Sequence, residues 1–284
     1  MNFFNAVIIL IVLGTSILSC TKDDESINSE PNVLKSEESN PFDYVGQAHN
    51  DLMNYYGSQI RIIEDTANFT AKEFVEMTYV KSKDLVCKYY PVTITSSEFH
   101  LYVKSSIVST DFELTLTERM KTLRNEHPYA IEYLNILEND VFSYLLTPEL
   151  DLNKAIPESE NKISKIEKQI IADKTITEQE RAEILIFFSV FKYSFKQIVN
   201  EFSDPKHPLH DYYYSSAKEP LSTAQKIGIG VADARGAWTG AGMMAGTGPG
   251  GMFLGAVGMG GISSCGAATM ACLYDVVADW WDSW

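Results

Sequence analysis

The chain has 284 residues, 45% of them hydrophobic and 21% charged, which suits one or two folded domains with a real core. Its 23 Lys and Arg face 38 Asp and Glu, for a formal net charge of −15. That balance excludes nucleic acid as a partner, because phosphate neutralisation needs clustered basic side chains, and it excludes unaided attraction to an anionic lipid surface.

At the amino terminus an apolar run from Ala6 to Leu18 has the length of a signal-peptide core and is short for a membrane span. It ends in Ile17-Leu18-Ser19-Cys20. This resembles the lipobox of bacterial lipoproteins, in which cleavage before the cysteine precedes its lipidation. The resemblance implies a signal peptide over 1–19, a lipid on Cys20 and attachment to a membrane through that lipid. Lys22, Asp23 and Asp24 follow directly, and a Lys followed by acids at this place resembles the surface-export signal of Bacteroidetes lipoproteins. The implied location is the outer membrane, facing outward. Residues 20–40 are acidic and poor in apolar side chains, so they read as a disordered tether.

Residues 41–222 read as an α-helical domain. Asn40-Pro41 offers a cap and a helix-opening proline, followed by Phe42, Val45, His49, Leu52, Met53 and Tyr56 at helical spacing. Thr70 and Glu73 have capping-box spacing. Residues 92–116 contain "FHLYV" and "FELTL", whose alternation suggests a small β-hairpin insertion. Pro128 opens a further helix that Thr147-Pro148 stops. A shorter amphipathic piece is expected over 158–173. The strongest helix begins at Thr177 and Glu180 and carries Ile184, Phe188, Phe191, Phe195, Ile198 and Phe202. The fold class is therefore mainly α. The opening "NPFDYVGQAHN" (40–50), with the Gly-rich tail, resembles uncharacterised Bacteroidetes lipoproteins and implies no catalytic residues.

Motifs for chemistry are sparse. There is no HExxH, CxxC, GxSxG or Walker sequence. Gly246, Gly248 and Gly251 match G-x-G-x-x-G, but no β-branched run precedes them and Pro249 interrupts them, so no dinucleotide site is expected. His207, His210 and Asp211 in "HPLHD" are metal-capable donors on what reads as a loop. His49 reads as a buried core histidine. Cys87, Cys265 and Cys272 read as small apolar residues. No cofactor, metal or catalytic residue is assigned, and the chain is not expected to be an enzyme.

Residues 223–284 differ in kind. From Gly236 to Tyr274 there is no charged side chain, and 14 of the 17 glycines lie between 228 and 266. A solvated linker would not also hold Trp238, Phe253, Leu254, Val257 and Ile262. A helix carrying a dozen glycines forgoes on the order of 10 kcal/mol of propensity, so close backbone contact is needed to offset it. Gly228, Ala232, Gly236 and Gly240 step by four, and Gly251, Gly255, Gly258 and Gly266 fall near one face. This small-xxx-small pattern predicts a hairpin of helices over roughly 225–246 and 251–274, with a turn at 247–251. The hairpin would pack on the helical domain or self-associate with another copy.

The tail ends in an amphipathic helix bearing Trp280, Trp281 and Trp284, residues suited to a membrane interface. Two functions lead as expectations, ranked ahead of a third, a hydrolase or glycan-binding protein whose site no motif marks. The first is a lipid-anchored, non-enzymatic interaction or structural module of the cell envelope. The second is a membrane-active protein whose hairpin inserts into a target membrane, as in glycine-zipper bacteriocins and pore-forming toxins.

Overall fold

A computed structural model describes residues 39–59, 70–106, 114–210 and 221–270, with side chains as far as Cys265. Cys20, Lys22, Asp23, Asp24, Asp211, Cys272, Trp280, Trp281 and Trp284 lie outside the described residues. The fold is mainly α, and no strand occurs among the described residues. In chain order the helices are α1 (Asp43–Ser58), α2 (Ala71–Val86), α3 (Ser96–Ser106), α4 (Leu116–Glu126), α5 (128–145), α6 (Leu152–Ala172), α7 (Glu178–Asn200), α8 (Thr223–Met244) and α9 (Pro249–Met270). α5 is composite. It opens with a 3₁₀ turn at Pro128–Ala130 and contains a π-helical turn at Leu137–Phe142.

The suggested β-hairpin is absent from the described residues. "FHLYV" lies within α3, and the last residues of "FELTL" lead into α4. The reason is written at the helix starts. Thr95 and Thr115 each accept a hydrogen bond from the backbone N–H three residues on. Glu98 and Glu118 in turn each accept one from the Thr backbone N–H at 2.8 Å. Capping boxes at both starts override two short stretches of alternation. The same device opens α2 at Thr70, α7 at Thr177 and α8 at Ser222.

Two other boundaries differ from expectation. α6 starts six residues earlier than its apolar period suggests, because Asp151 caps it by accepting from the Asn153 N–H, and Pro157 sits inside the helix. Asn40 does not cap α1 directly. Its Oδ1 accepts from Phe42 N–H at 2.9 Å and shapes the turn before the helix.

The hairpin arms are helical. α8 and α9 are joined by a 3₁₀ turn at Ala245–Thr247 and by Gly248, whose φ of +88° an L side chain would resist. Pro249 then starts α9, so the second arm begins two residues before the expected turn has ended.

α9 is buried on every side. From Phe253 to Ser264 each residue is buried. A helix apolar all round must sit in a core or a bilayer. Here α9 packs on α8, α1 and α2, while α7 covers α8. One hydrophobic core therefore takes residues from both the 41–222 helices and the hairpin.

Candidate functional site at the seat of the glycine hairpin

The close contact within the hairpin is formed by fewer residues than the glycine pattern offers. A Cβ at Gly240 would collide with the Gly255 carbonyl, and one at Gly255 with the Gly240 carbonyl. A Cβ at Gly236 would fall 2.6 Å from the Met259 carbonyl oxygen and would strike Ser263. The working face of α9 is thus Gly255, Met259 and Ser263, a step of four. Buried Ala232 continues the α8 row.

The remaining glycines serve other neighbours. Gly258 faces Phe99 and Ser82, away from α8. Gly251 meets Thr247 and Ile94. Gly228 is buried, and among the described residues no atom lies within 4 Å of a Cβ placed there. Gly266 lies in α9, outside the residues whose side-chain surroundings are described.

Further glycines, not picked out by the step-of-four pattern, dock the hairpin on the body. Gly230 meets Phe191 and Phe195, Gly250 meets the Pro91 carbonyl, Gly260 meets His49, and Gly261 meets Leu52. The pattern was read for one face, whereas the hairpin is approached from several.

The opening motif is the other half of this seat. Asn40 Nδ2 donates to Glu167 Oε1 and to the Leu185 carbonyl, each at 2.8 Å. Lys192 Nζ joins Asp43 at 2.7 Å and Glu167 at 3.3 Å. Burial raises the Glu167 pKa, opposed by the Lys192 charge and the Asn40 hydrogen bond. A Cβ at Gly46 would meet Ser189 and Tyr193 at 2.6–2.7 Å. Asn50 Nδ2 donates to the Tyr193 carbonyl at 3.1 Å. Asn40, Asp43, Gly46 and Asn50 therefore form one strip along the α7 interface.

His49 points past that strip into the hairpin. Its Nε2 lies 3.8 Å from Asp233 Oδ2, with both side chains about 1% exposed. Ser194 Oγ donates to Asp233 Oδ2, and Ser264 also hydrogen-bonds this carboxyl. Four helices, α1, α7, α8 and α9, thus contribute to one polar cluster in an otherwise apolar centre. Burial pushes Asp233 up to about 7 and pulls His49 down to about 4.

Ser, His and Asp meet here, but not as a nucleophilic triad. Ser194 is bonded to Asp233 rather than to the imidazole that would take its proton, and the cluster is closed to solvent. Sequence reading placed His49 in the core and did not single out Ser194 or Asp233. The signal available was an acid between Ala232 and Ala234, on a small-residue helix just before the charge-free run.

A second cluster ties α8 to α4 and α7. The His127 ring stacks on Trp238 with centroids 3.8 Å apart. Trp238 Nε1 donates to Tyr129 Oη at 3.1 Å, and Tyr129 donates to Glu183 at 2.9 Å. Arg235 reaches both carboxylate oxygens of Glu126 at 2.7 and 3.0 Å. Every member is occupied by another, which makes this a fastening rather than an open site.

No family model, curated protein or solved structure gives a significant match to the chain.

No group of three metal-capable side chains converges among the described residues. In "HPLHD", His207 Nδ1 accepts from the Leu209 backbone N–H at 3.2 Å and its ring lies against Phe202. That nitrogen is committed to the local turn. Cys265 is a thiol packed against the hydrophobic core, as expected of a small core residue, whereas Cys87 is disulfide-bonded, contrary to that expectation.

Proposed function

We propose that the protein is a lipid-anchored module of the bacterial cell envelope, without catalysis of its own, whose helical body presents an interaction or structural surface. In this reading Cys20 carries the lipid, residues 20–40 form the tether, and Lys22, Asp23 and Asp24 direct the protein to the outer face of the outer membrane. The observation that favours this reading is the position of the hairpin. Its backbone contacts at Gly236, Gly240 and Gly255 are made within the chain, and Gly230, Gly258, Gly260 and Gly261 receive side chains of the same chain. A hairpin used as an internal core leaves membrane attachment to the lipid. No described helix is long and apolar enough to cross a membrane, so the membrane-inserting alternative gains no support from the hairpin arms.

Two measurements test the reading. Cys20→Ala should move the protein from the membrane fraction to the soluble fraction and abolish incorporation of a labelled fatty acid. Retention of that variant in membranes after alkaline washing would overturn the anchor. Separately, the non-lipidated chain 21–284 should leave dye-loaded vesicles intact, and truncation to 21–224 should cause aggregation as the core loses its centre. Dye release by 21–284, absent from a soluble 21–224, would favour the membrane-active alternative.

A further inference from the structure

The His49–Asp233 pair has a property that follows from its place in the fold. Both groups are titratable, both are sealed from water, and they come from opposite halves of the assembly, the opening helix α1 and the first hairpin arm α8. Two atoms are left over: His49 Nε2 and Asp233 Oδ1 have no hydrogen-bond partner. The neighbours fix the rest. Asn50 Nδ2 is committed to the Tyr193 carbonyl, so Asn50 Oδ1 faces His49 Nδ1, at 3.3 Å. A proton on Nδ1 satisfies that oxygen and leaves Nε2 as the basic nitrogen, facing the Asp233 carboxyl.

The surrounding groups come from every packed element. α1 supplies Asn50, and α7 supplies Ser194, a donor to Asp233. α9 supplies Ser264, also bonded to Asp233, together with the Gly260 backbone, which hydrogen-bonds the His49 ring, and the Cys265 thiol. α4 supplies Arg119, which is 5% exposed and whose charge acts on Asp233. Arg119 and the two serines favour the carboxylate, but burial outweighs them and leaves Asp233 at about 7. At 3.8 Å the imidazole and carboxyl are too far apart for the direct hydrogen bond that a buried ion pair needs.

We propose that His49 and Asp233 form a one-proton dyad at the joint between hairpin and body: the closed molecule keeps the proton on the Asp233 carboxyl, and displacing α8 leaves it on His49 Nε2. The transfer balances. The carboxyl O–H bond breaks to give a carboxylate, and an N–H bond forms to give an imidazolium; the water admitted on opening relays the proton, so none is gained from or lost to solvent in net. Closed, the two groups are neutral where charge is costly; opened, they are charged where water can solvate them.

The signs of the two titrations give this proposal a signature. Asp233 alone is raised from 3.8 to about 7, so the folded state holds an extra proton between those values and stability rises as pH falls. His49 alone is lowered from 6.5 to about 4, so the unfolded state holds the extra proton in that window and stability falls as pH falls. Together the effects cancel. The dyad makes the joint insensitive to pH in this window and is not an acid trigger.

The test is urea unfolding of the non-lipidated chain 21–284 from pH 4.5 to 6.5, with each variant compared with the parent so that the other carboxylates cancel. His49→Gln should gain stability relative to the parent as pH falls. Asp233→Asn should lose it. Each difference should approach tenfold in the folding equilibrium per pH unit, and the double variant should return to the parent's slope. Single-variant slopes equal to the parent's, or both of one sign, would overturn the dyad. Should Asp233→Asn not fold, His49→Gln and the ring nitrogens of the parent still decide. At pH 5.5 the nitrogen shifts should report a neutral His49 protonated on Nδ1, and an imidazolium there would overturn the assignment of the proton.

Discussion

α7 and α9 are both central helices, yet they fill space in opposite ways. α7 carries Phe187, Phe188, Phe191 and Phe195, and its rings reach Phe142 at 5.3 Å and Trp238 at 5.1 Å between centroids. α9 carries glycine where it meets α8, and backbone touches backbone. The first helix is held by side-chain volume, which neighbours can partly reshape when it changes. The second is held by closeness, which any added atom removes. The same core should therefore tolerate loss of volume on α7 better than gain of volume at the contact between α8 and α9.

The largest expected effect is at Gly240. A valine there would push the arms apart along their whole contact, because the obstacle is the Gly255 carbonyl and not the end of a flexible side chain. The expected loss is more than about 4 kcal/mol, beyond the usual range for overpacking, since rigid backbone cannot rotate away. Calorimetry or urea unfolding would measure it, and a loss below about 1 kcal/mol would mean that the arms are not in backbone contact. Phe188→Ala, at a fully buried ring, should cost about 3–4 kcal/mol by the same measurement. A loss larger than that of Gly240→Val would reverse the comparison.

How much of this was legible in the sequence depends on the kind of signal. The long helices were legible because period and caps agreed, as at Thr177 and Glu180 for α7. α3 and α4 were misread because five-residue alternations outweighed Thr95/Glu98 and Thr115/Glu118, the same capping boxes trusted at Thr70 and Thr177. The hairpin was legible as a pair of glycine-rich helices, but not which glycines touch. Spacing by four selects a face of one helix, and only the neighbours decide whether that face meets the other arm, a phenylalanine or nothing. Gly258 kept the pattern and went to Phe99; Gly260 and Gly261 fell outside it and received His49 and Leu52. The polar cluster was least legible. Asp233 stands 184 positions after His49 and Tyr193 stands 143 after Asn50, and local pattern carries no information at that range.

The smallest effect sharpens the comparison most, because it acts on the same helix row with the opposite sign. Gly228 is three steps of four before Gly240, so a periodicity argument treats the two as equivalent. Their surroundings differ: a methyl group at Gly228 meets no described atom within 4 Å. Gly228→Ala then keeps only the helix-propensity term and the reduced freedom of the unfolded chain, together about 0.5–1 kcal/mol in favour of folding. For a chain of this size that is a rise of roughly 1–4 °C in the thermal midpoint. A destabilised Gly228→Ala would show that the zipper extends along the whole of α8, as its spacing alone suggests. A stabilised one, beside a Gly240→Val that loses several kcal/mol, would confine the backbone contact to the half of the hairpin nearest its turn and leave the α7 rings to hold the other half.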